Sequence, residues 1–441
     1  MKRLSQRTRR AQTLVLTLLV CSGIINFFDR SSLAIANVSV REDLGISATA
    51  MGGLLSAFAL SYAFTQLPVG LLVDRVGSRI LLGCGLALWS AAQATVGLVT
   101  SYTQFFWARI ALGVGEAPQF PTSARVVSNW FHVTRRGVPS GIFNSASSLG
   151  PAIAPPLLTL MMLNFGWRAM FVILGVTGLA AAAIWAAVYR DPEHARIPPE
   201  DLATIRSGDV ASTSSVTLGQ WLRLFNCRTT WGMILGNFGN GYSFWLFQTW
   251  IPGYLEMERH ISVTRTGFYA SVPMLCGVIG SLSGGYVVDL LAARGATPLN
   301  SRKVPVAAGL VGVAVFTVVA AYSTTTVSAL TSLSAAVFFS GLAGATIWAL
   351  VTAATPQNYV ASSGSIQNFG AYLGGACSPV VTGLIVDRTG SFTLALVIAA
   401  GISVMGAVVY LTVVKQPITE AELEPASTKI AATDDIGRSP W

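Results

Sequence analysis

Four charged residues lie inside long apolar segments of this sequence, and their types and spacing can support proton and anion chemistry. Asp29 and Arg30 are adjacent near the end of an uncharged run, while Arg109 and Glu116 are seven residues apart in another apolar segment. Seven residues make nearly two helical turns, so Arg109 and Glu116 project from one face. Burial favours the protonated form of a carboxylate, and a nearby arginine favours the ionised form. We therefore interpret Asp29 and Glu116 as groups that bind and release protons as an arginine moves away and returns.

The alternative is structural: the four charges neutralise one another and hold two helices together, with Asp29 and Arg30 reaching outward. Glu116 fits this alternative less well, because Pro118 and Pro121 follow it and loosen the helix where it stands.

The composition is that of a polytopic membrane protein: 52% of the 441 residues are hydrophobic, 11% are charged, and the mean hydropathy is +0.60. Runs long enough to cross a bilayer recur along the chain. The first run resembles a signal peptide, but Asp29 and Arg30 interrupt it, so we expect a retained helix. The twelve predicted spans are 12–37, 47–73, 79–101, 103–124, 137–162, 167–189, 229–253, 265–290, 303–323, 327–351, 357–386 and 391–414.

The positive charges indicate the orientation. With both termini in the cytoplasm, 21 of the 28 Lys and Arg residues fall in cytoplasmic segments and five in outer loops, as the positive-inside rule requires. The net charge of +9 is therefore explained by topology, and we expect a lipid bilayer and no nucleic acid as partner.

The chain divides into two similar parts. We predict a first six-helix bundle over 1–190, a cytoplasmic linker over 191–228, a second six-helix bundle over 229–416 and a cytoplasmic tail over 417–441. Leu-Gly-x-Ala-x-x-Pro occurs at 149–155 and again at 373–379, and Gly-x-x-x-Asp occurs at 70–74 and again at 285–289. Repeats at corresponding places are typical of pseudo-symmetric transporters.

The stretch GLLVDRVGSR, residues 70–79, resembles the loop motif between the second and third helices of the major facilitator superfamily. Within that superfamily, NFFDRSSLAIAN (26–37) and RIALGVGEAPQFPTSARVVSNWF (109–131) resemble the anion:cation symporter family, whose bacterial members carry sugar acids and other organic anions with protons. The resemblance implies an all-α fold of twelve transmembrane helices in two pseudo-symmetric bundles, with both termini cytoplasmic.

The resemblance also implies roles for single residues. Asp29 and Glu116 would be the protonation sites, Arg30 the group that meets the substrate anion, and Arg109 their switching partner. A guanidinium suits an anion because its planar fork donates two parallel hydrogen bonds to a carboxylate. The predicted substrate contacts are Tyr62, Gln248, Trp348 and Asn368, with Asn144 ranked behind them. For each of these neutral groups, a hydrogen bond between helices is the alternative.

The loop motif is predicted to be a conformational latch. Its residues are Gly70, Asp74, Arg75, Gly77 and Arg79, and Asp74 would cap a neighbouring helix and pair with cytoplasmic arginines such as Arg135 or Arg136. A plain polar turn with topogenic charges is the alternative.

These observations predict a secondary transporter of the cell (inner) membrane that imports a small organic anion with protons by alternating access. A sugar acid such as a hexonate or hexuronate is the first prediction, and another carboxylate or a sulfonate is the alternative. Sugar-acid members often carry a tyrosine and a glutamine where this chain has Phe27 and Ser147, which leaves room for a less polar anion. A transporter-like nutrient sensor is a further alternative.

An enzyme is not expected. The three histidines have no metal-ligand spacing, no phosphate-binding loop motif is present, and the five cysteines show no paired spacing. We expect no cofactor and no metal, and we expect a monomer.

Overall fold

The structure is a computed structural model that describes residues 4–132, 135–207 and 217–423, without the side-chain surroundings of residues 70, 71, 74 and 148. The described residues form helices and turns, because a helix satisfies its backbone hydrogen bonds within one segment, as a bilayer requires. The first half contains α1 (Gln6–Ile35), α2 (Asn37–Leu44), α3 (Ala48–Val76), α4 (Ser78–Val96), α5 (Tyr102–Glu116), α6 (Gln119–Trp130) and α7 (Gly137–Val188). Two short helices follow, α8 (Pro199–Arg206) and α9 (Leu218–Arg223). The second half contains α10 (Arg228–Met257), α11 (Val263–Ala293), α12 (Asn300–Ala321), α13 (Thr326–Ala354), α14 (Val360–Thr389), α15 (Thr393–Thr412) and the short α16 (Glu420–Leu423).

Each predicted span corresponds to helix in the structure, with one difference. Nine helices among the described residues are long and apolar enough to cross a membrane. The spans predicted at 137–162 and 167–189 both lie in α7, where the non-helical backbone of Gly166 (φ 78°, ψ 163°) separates two helical stretches. The span predicted at 103–124 is divided into α5 and α6, because Pro118 lacks the N–H that would continue the helix. The number of crossings and their orientation stay predictions.

Side-chain caps fix where several helices begin. The first four N–H groups of a helix have no partner within the helix. The side-chain oxygen of a Ser or Thr directly before the helix accepts one of them. The five pairs are Ser5 with the N–H of Thr8, Ser47 with Ala50, Ser101 with Gln104, Thr217 with Gln220, and Thr325 with Ser328.

The two halves pack against each other mainly through α3 with α14, α7 with α11 and α1 with α10, and α2 also contacts α10. We call the end of the bundle that contains Gly45, Gly166 and Gly390 the outer end, because its loops are predicted to face away from the cytoplasm. A hydrophobic core shared by both halves, including Trp250 and Phe392, lies towards this end. Of two further buried clusters, one lies mainly in the first half and the other in the second half. The domain boundaries and the monomeric state stay predictions.

Candidate functional site

An ion pair between Arg30 and Glu116 lies at the centre of the candidate site. Arg30 is on α1, and Glu116 is the last residue of α5, directly before the break at Pro118. The Arg30 Nε donates to Glu116 Oε2 at 2.7 Å, and the two side chains are 6% and 0% exposed. The side chain of Asn26, one turn before Arg30 on α1, lies beside the Glu116 carboxylate. The sequence predicted Glu116 as a proton site but did not pair it with Arg30.

Aromatic rings surround the Arg30 guanidinium. Its central carbon lies 5.1 Å from the ring centroid of Phe27, 5.3 Å from that of Phe58 and 4.9 Å from that of Tyr62. Such rings attract a cation through their negative faces and exclude water from it. The three aromatic rings therefore stabilise the positive charge of Arg30 in an apolar environment.

The second half reaches this arginine through Tyr372 on α14. The Arg30 Nη1 donates to the Tyr372 hydroxyl at 3.0 Å, and the Tyr372 ring stacks on Tyr62 with centroids 4.2 Å apart. The remaining terminal nitrogen, Nη2, has no hydrogen-bond partner among the residues that the structure describes. The two terminal nitrogens of this guanidinium, one free and one held by a neutral hydroxyl, can donate to an anionic group.

Asp29 and Arg109 form a second charged group in the first half. Both are buried, with exposures of 0% and 1%, and Glu116 and Arg109 are charged neighbours of Asp29. Arg109 donates from Nε to the Leu54 carbonyl at 3.3 Å, and its guanidinium lies 5.0 Å from the Phe58 ring centroid. All four predicted charges thus lie in one cluster, although Asp29 and Arg30 are adjacent in sequence. Their predicted roles as proton and anion sites are not tested by this geometry.

Three of the predicted substrate contacts lie at the boundary between the halves. Tyr62 stacks on Tyr372, as described above. The Gln248 Nε2 lies 3.4 Å from the Ser31 Oγ, and the Asn368 Nδ2 donates to the Gln66 Oε1 at 3.0 Å. Each of these contacts joins one half to the other.

The other two predicted contacts are arranged differently. Trp348 on α13 is 54% exposed, with its ring against Gly364 of α14. Asn144 on α7 is exposed, and its amide donates to the Ser140 carbonyl of its own helix at 3.0 Å. Among the described residues, neither side chain contacts the cluster around Arg30. Their roles as substrate contacts stay predictions.

Sequence reasoning missed four polar residues of the site: Tyr372, Gln66, Ser31 and Asn26. Tyr372 had a usable signal, because it lies one helical turn after Asn368 in a polar, glycine-rich stretch. Gln66 likewise lies one turn after Tyr62. Ser31 and Asn26 flank the charged pair on α1 and are common residues in membrane helices, so only the packing of the helices identifies them.

The predicted latch is described only in part. Gly77 joins α3 to α4 with a φ of 83°, a backbone conformation that favours glycine. Arg79 donates to the Ala186 carbonyl at 2.7 Å, and Arg75 is exposed. The surroundings of Gly70 and the side chain of Asp74 lie outside what the structure describes, so the latch stays a prediction.

The family profile of the Major Facilitator Superfamily matches residues 19–376 of the chain. The chain belongs to the Major Facilitator Superfamily. It is therefore a multi-pass membrane transporter and not an enzyme, which confirms the family and the class predicted from the loop motif. No group of three or more His, Cys, Asp and Glu residues with the geometry of a metal site occurs among the described residues.

Several curated relatives of this superfamily transporter are named for sugar acids. It is 42% identical over 417 residues to a probable L-galactonate transporter of Escherichia coli K12, covering 94% of this chain and 92% of the relative. It is 34% identical over 406 residues to a probable galactarate/D-glucarate transporter of Bacillus subtilis 168, covering 88% and 89% of the two chains. These names agree with the resemblance to the anion:cation symporter family.

The fold is shared with a solved transporter of low sequence similarity. A bacterial homologue of the human lysosomal transporter Spinster, in an inward-facing and unoccupied conformation, superposes with a TM-score of 0.78 at 16% identity, covering 92% of this chain and 97% of that one. This likeness confirms the major facilitator fold.

Proposed function

We propose that this transporter imports a sugar acid together with protons by alternating access, with Arg30 as the anion site and Glu116 as a proton site. The observation that carries the proposal is the buried Arg30–Glu116 ion pair, whose arginine is shared with a hydroxyl of the second half and keeps one nitrogen free. The names of the relatives support a sugar acid as the substrate class.

The pair links proton binding to anion binding. Removing one partner of a buried ion pair costs about 3–5 kcal/mol, because an uncompensated charge is left behind. When a substrate carboxylate takes the guanidinium fork of Arg30, Glu116 loses its counter-charge, and protonation removes the resulting cost. Release of the anion reverses the sequence: Arg30 returns to Glu116, and the proton leaves. The anion and the proton therefore travel together.

Asp29 and Arg109 extend this coupling. Their charges lie beside Glu116, so a change in the charge of Glu116 changes the electrostatic energy of both. Asp29 is our second proton site, and Arg109 is the counter-charge that it shares with Glu116.

The neutral groups at the boundary fit the hydroxyls of a sugar acid. Tyr372, Gln248 and Asn368 offer both donors and acceptors, as a polyhydroxylated chain requires. In the absence of substrate they bond to Arg30, Ser31 and Gln66 of the first half. A bound sugar acid would take over these hydrogen bonds and so join the halves around itself.

Uptake into proteoliposomes tests the proposal. Labelled L-galactonate and galactarate are presented with the outside one pH unit more acidic than the inside, and again without a gradient. We expect accumulation of at least one of them above its external concentration only with the gradient, together with acidification of the lumen. Binding without accumulation would indicate a sensor, and accumulation that ignores the pH gradient would contradict proton coupling.

A further inference from the structure

The carboxylate of Asp387 joins the two halves at the outer end. Asp387 lies in the last turn of α14, and its Oδ1 and Oδ2 accept from the backbone N–H groups of Ala48 and Thr49 at 2.8 and 2.7 Å. Ala48 and Thr49 are the first two residues of α3 in the other half. A charged group of the second half thus occupies the positive end of a first-half helix.

This contact completes the capping of α3. The N–H of the next residue, Ala50, donates to the side chain of Ser47 at 3.1 Å. Two of the first three N–H groups of α3 therefore depend on the opposite half. When the halves separate at the outer end, these two groups lose their carboxylate, and α3 keeps only its own serine cap.

The backbones of α3 and α14 meet closely beside this contact. A Cβ added to Gly383 would lie 2.2 Å from the Ala48 carbonyl oxygen, and one added to Gly52 would lie 2.3 Å from the Pro379 carbonyl oxygen. Both distances are too short for any side chain, so glycine is required on each helix for this approach. The Asp387 cap and the glycine contacts form one interface at the outer end.

The sequence around Asp387 repeats the predicted latch. Residues 383–391 read GLIVDRTGS and residues 70–78 read GLLVDRVGS, so seven of nine positions are identical. The first copy ends α3, and the second ends α14, the helix that packs against α3. Since the two helices run antiparallel, the copies lie at opposite ends of the bundle.

We propose that Asp387 is the outer latch of the transport cycle: its carboxylate, by capping α3, holds the outer end shut, and it must leave α3 before the outer end can open. The segment 70–78 is its counterpart at the other end. The inference rests on the proposed alternating access, but it is independent of the substrate and of the proton sites. It adds a residue of the second half to the groups that set the balance between conformations.

Distance measurements on the purified, full-length protein test the latch. Spin labels at Asn164→Cys and Val327→Cys, exposed positions at the outer ends of different halves, report the separation in a background that lacks the five native cysteines. We expect Asp387→Asn to raise the ratio of the long-distance to the short-distance population about fivefold, because a charged cap becomes neutral. Asp43→Asn is the matched control, since Asp43 pairs at the same end with Arg168 of its own half.

A second variant keeps the carboxylate and disturbs the approach of the helices. Gly383→Ala places a methyl group against the Ala48 carbonyl, whereas Gly401→Ala, with open space around it, is its control. We expect Gly383→Ala to shift the distances in the same direction as Asp387→Asn. Unchanged distance distributions in Asp387→Asn would overturn the latch. Because no substrate and no pH gradient are used, failure of the latch is distinguishable from failure of the proposed transport.

Discussion

The two halves of this transporter bring different chemistry to one site. The first half supplies four buried charges, Asp29, Arg30, Arg109 and Glu116. The second half meets them with neutral groups on α10 and α14. A neutral hydrogen bond contributes about 0.5–1.5 kcal/mol net and one to a charged group about 1.5–3 kcal/mol, whereas removing one partner of a buried ion pair costs about 3–5 kcal/mol. The most costly charge rearrangement at this site therefore stays within the first half, and the hydrogen bonds that join the halves there cost less to break.

The largest expected effect comes from removing the proton site of the charged half. In Glu116→Gln the side chain keeps its shape but cannot ionise, so proton-driven accumulation should disappear. With one coupled proton, a gradient of one pH unit supports about tenfold accumulation, and this should fall to none. Substrate exchange between the two sides, measured by counterflow, should persist, because Arg30 remains available to the anion.

Glu193→Gln is the matched control for this change. Glu193 also pairs with an arginine, Arg206, but it lies between α7 and α8, where both side chains are largely exposed. Its pair contributes at most about 1 kcal/mol, so accumulation should be unchanged. Proton-driven accumulation that survives in Glu116→Gln would place the coupling in Asp29 alone.

The second effect comes from the anion site. Arg30→Lys keeps the charge but loses the planar fork that holds Glu116 and Tyr372 and that the substrate carboxylate takes in place of Glu116, so we expect the apparent affinity for the anion to fall about 10- to 100-fold. Arg109→Lys should instead alter the pH dependence of uptake and leave the affinity within about threefold, because it keeps the positive charge near Asp29 and Glu116 and because Arg109 donates to the Leu54 carbonyl of its own half and not to a group of the second half. Equal affinity losses in Arg30→Lys and Arg109→Lys would contradict the assignment of the anion site to Arg30. Binding of labelled substrate across a pH series measures both quantities.

The charged half was much more predictable than the neutral half. A charge in an apolar segment is rare and costly, so Asp29, Arg30, Arg109 and Glu116 are visible in the sequence before any fold is known. Neutral polar residues are common in membrane helices, and their sequence position does not say which of them face the other half. Tyr372 was missed for this reason, and the pairs Gln66–Asn368 and Ser31–Gln248 require the packing of α1 and α3 against α10 and α14.

The helices show the same contrast. Their apolar lengths placed nearly all of them, because a span needs about 20 apolar residues. The break at Gly166 in α7 lies between the two spans predicted there, whereas the stretch predicted as one span at 103–124 is divided into α5 and α6, a break that Pro118 indicated. The Asp387 cap was not predicted, because Asp387 lies 339 positions after Ala48 and 338 positions after Thr49 in the sequence.

A moderate effect is expected where the neutral half meets the charged half. Tyr372→Phe removes the hydroxyl that accepts from Arg30 Nη1 and leaves the stack on Tyr62 in place. We expect a three- to tenfold weaker apparent affinity, which corresponds to the loss of one neutral hydrogen bond to a substrate hydroxyl, about 0.5–1.5 kcal/mol. Tyr242→Phe is the control, because Tyr242 is also a buried tyrosine of the second half but does not contact Arg30. A similar loss in both variants would mean that the Tyr372 hydroxyl has no special relation to the anion site.

The smallest expected effect tests whether Gln248 contacts the substrate or only the other half of the transporter. The Ser31–Gln248 hydrogen bond is neutral and long at 3.4 Å, so Ser31→Ala should change the apparent affinity less than about threefold. Gln248→Ala removes the same bond and also the amide predicted to meet the sugar hydroxyls. If Gln248 is a substrate contact, Gln248→Ala weakens the apparent affinity more than Ser31→Ala does. If this loss is larger for galactonate than for a carboxylate without hydroxyls, the substrate hydroxyls are the partner of Gln248. Equal small effects in both variants would assign Gln248 to the boundary alone, and the neutral half would then act on the substrate through Tyr372 and Asn368.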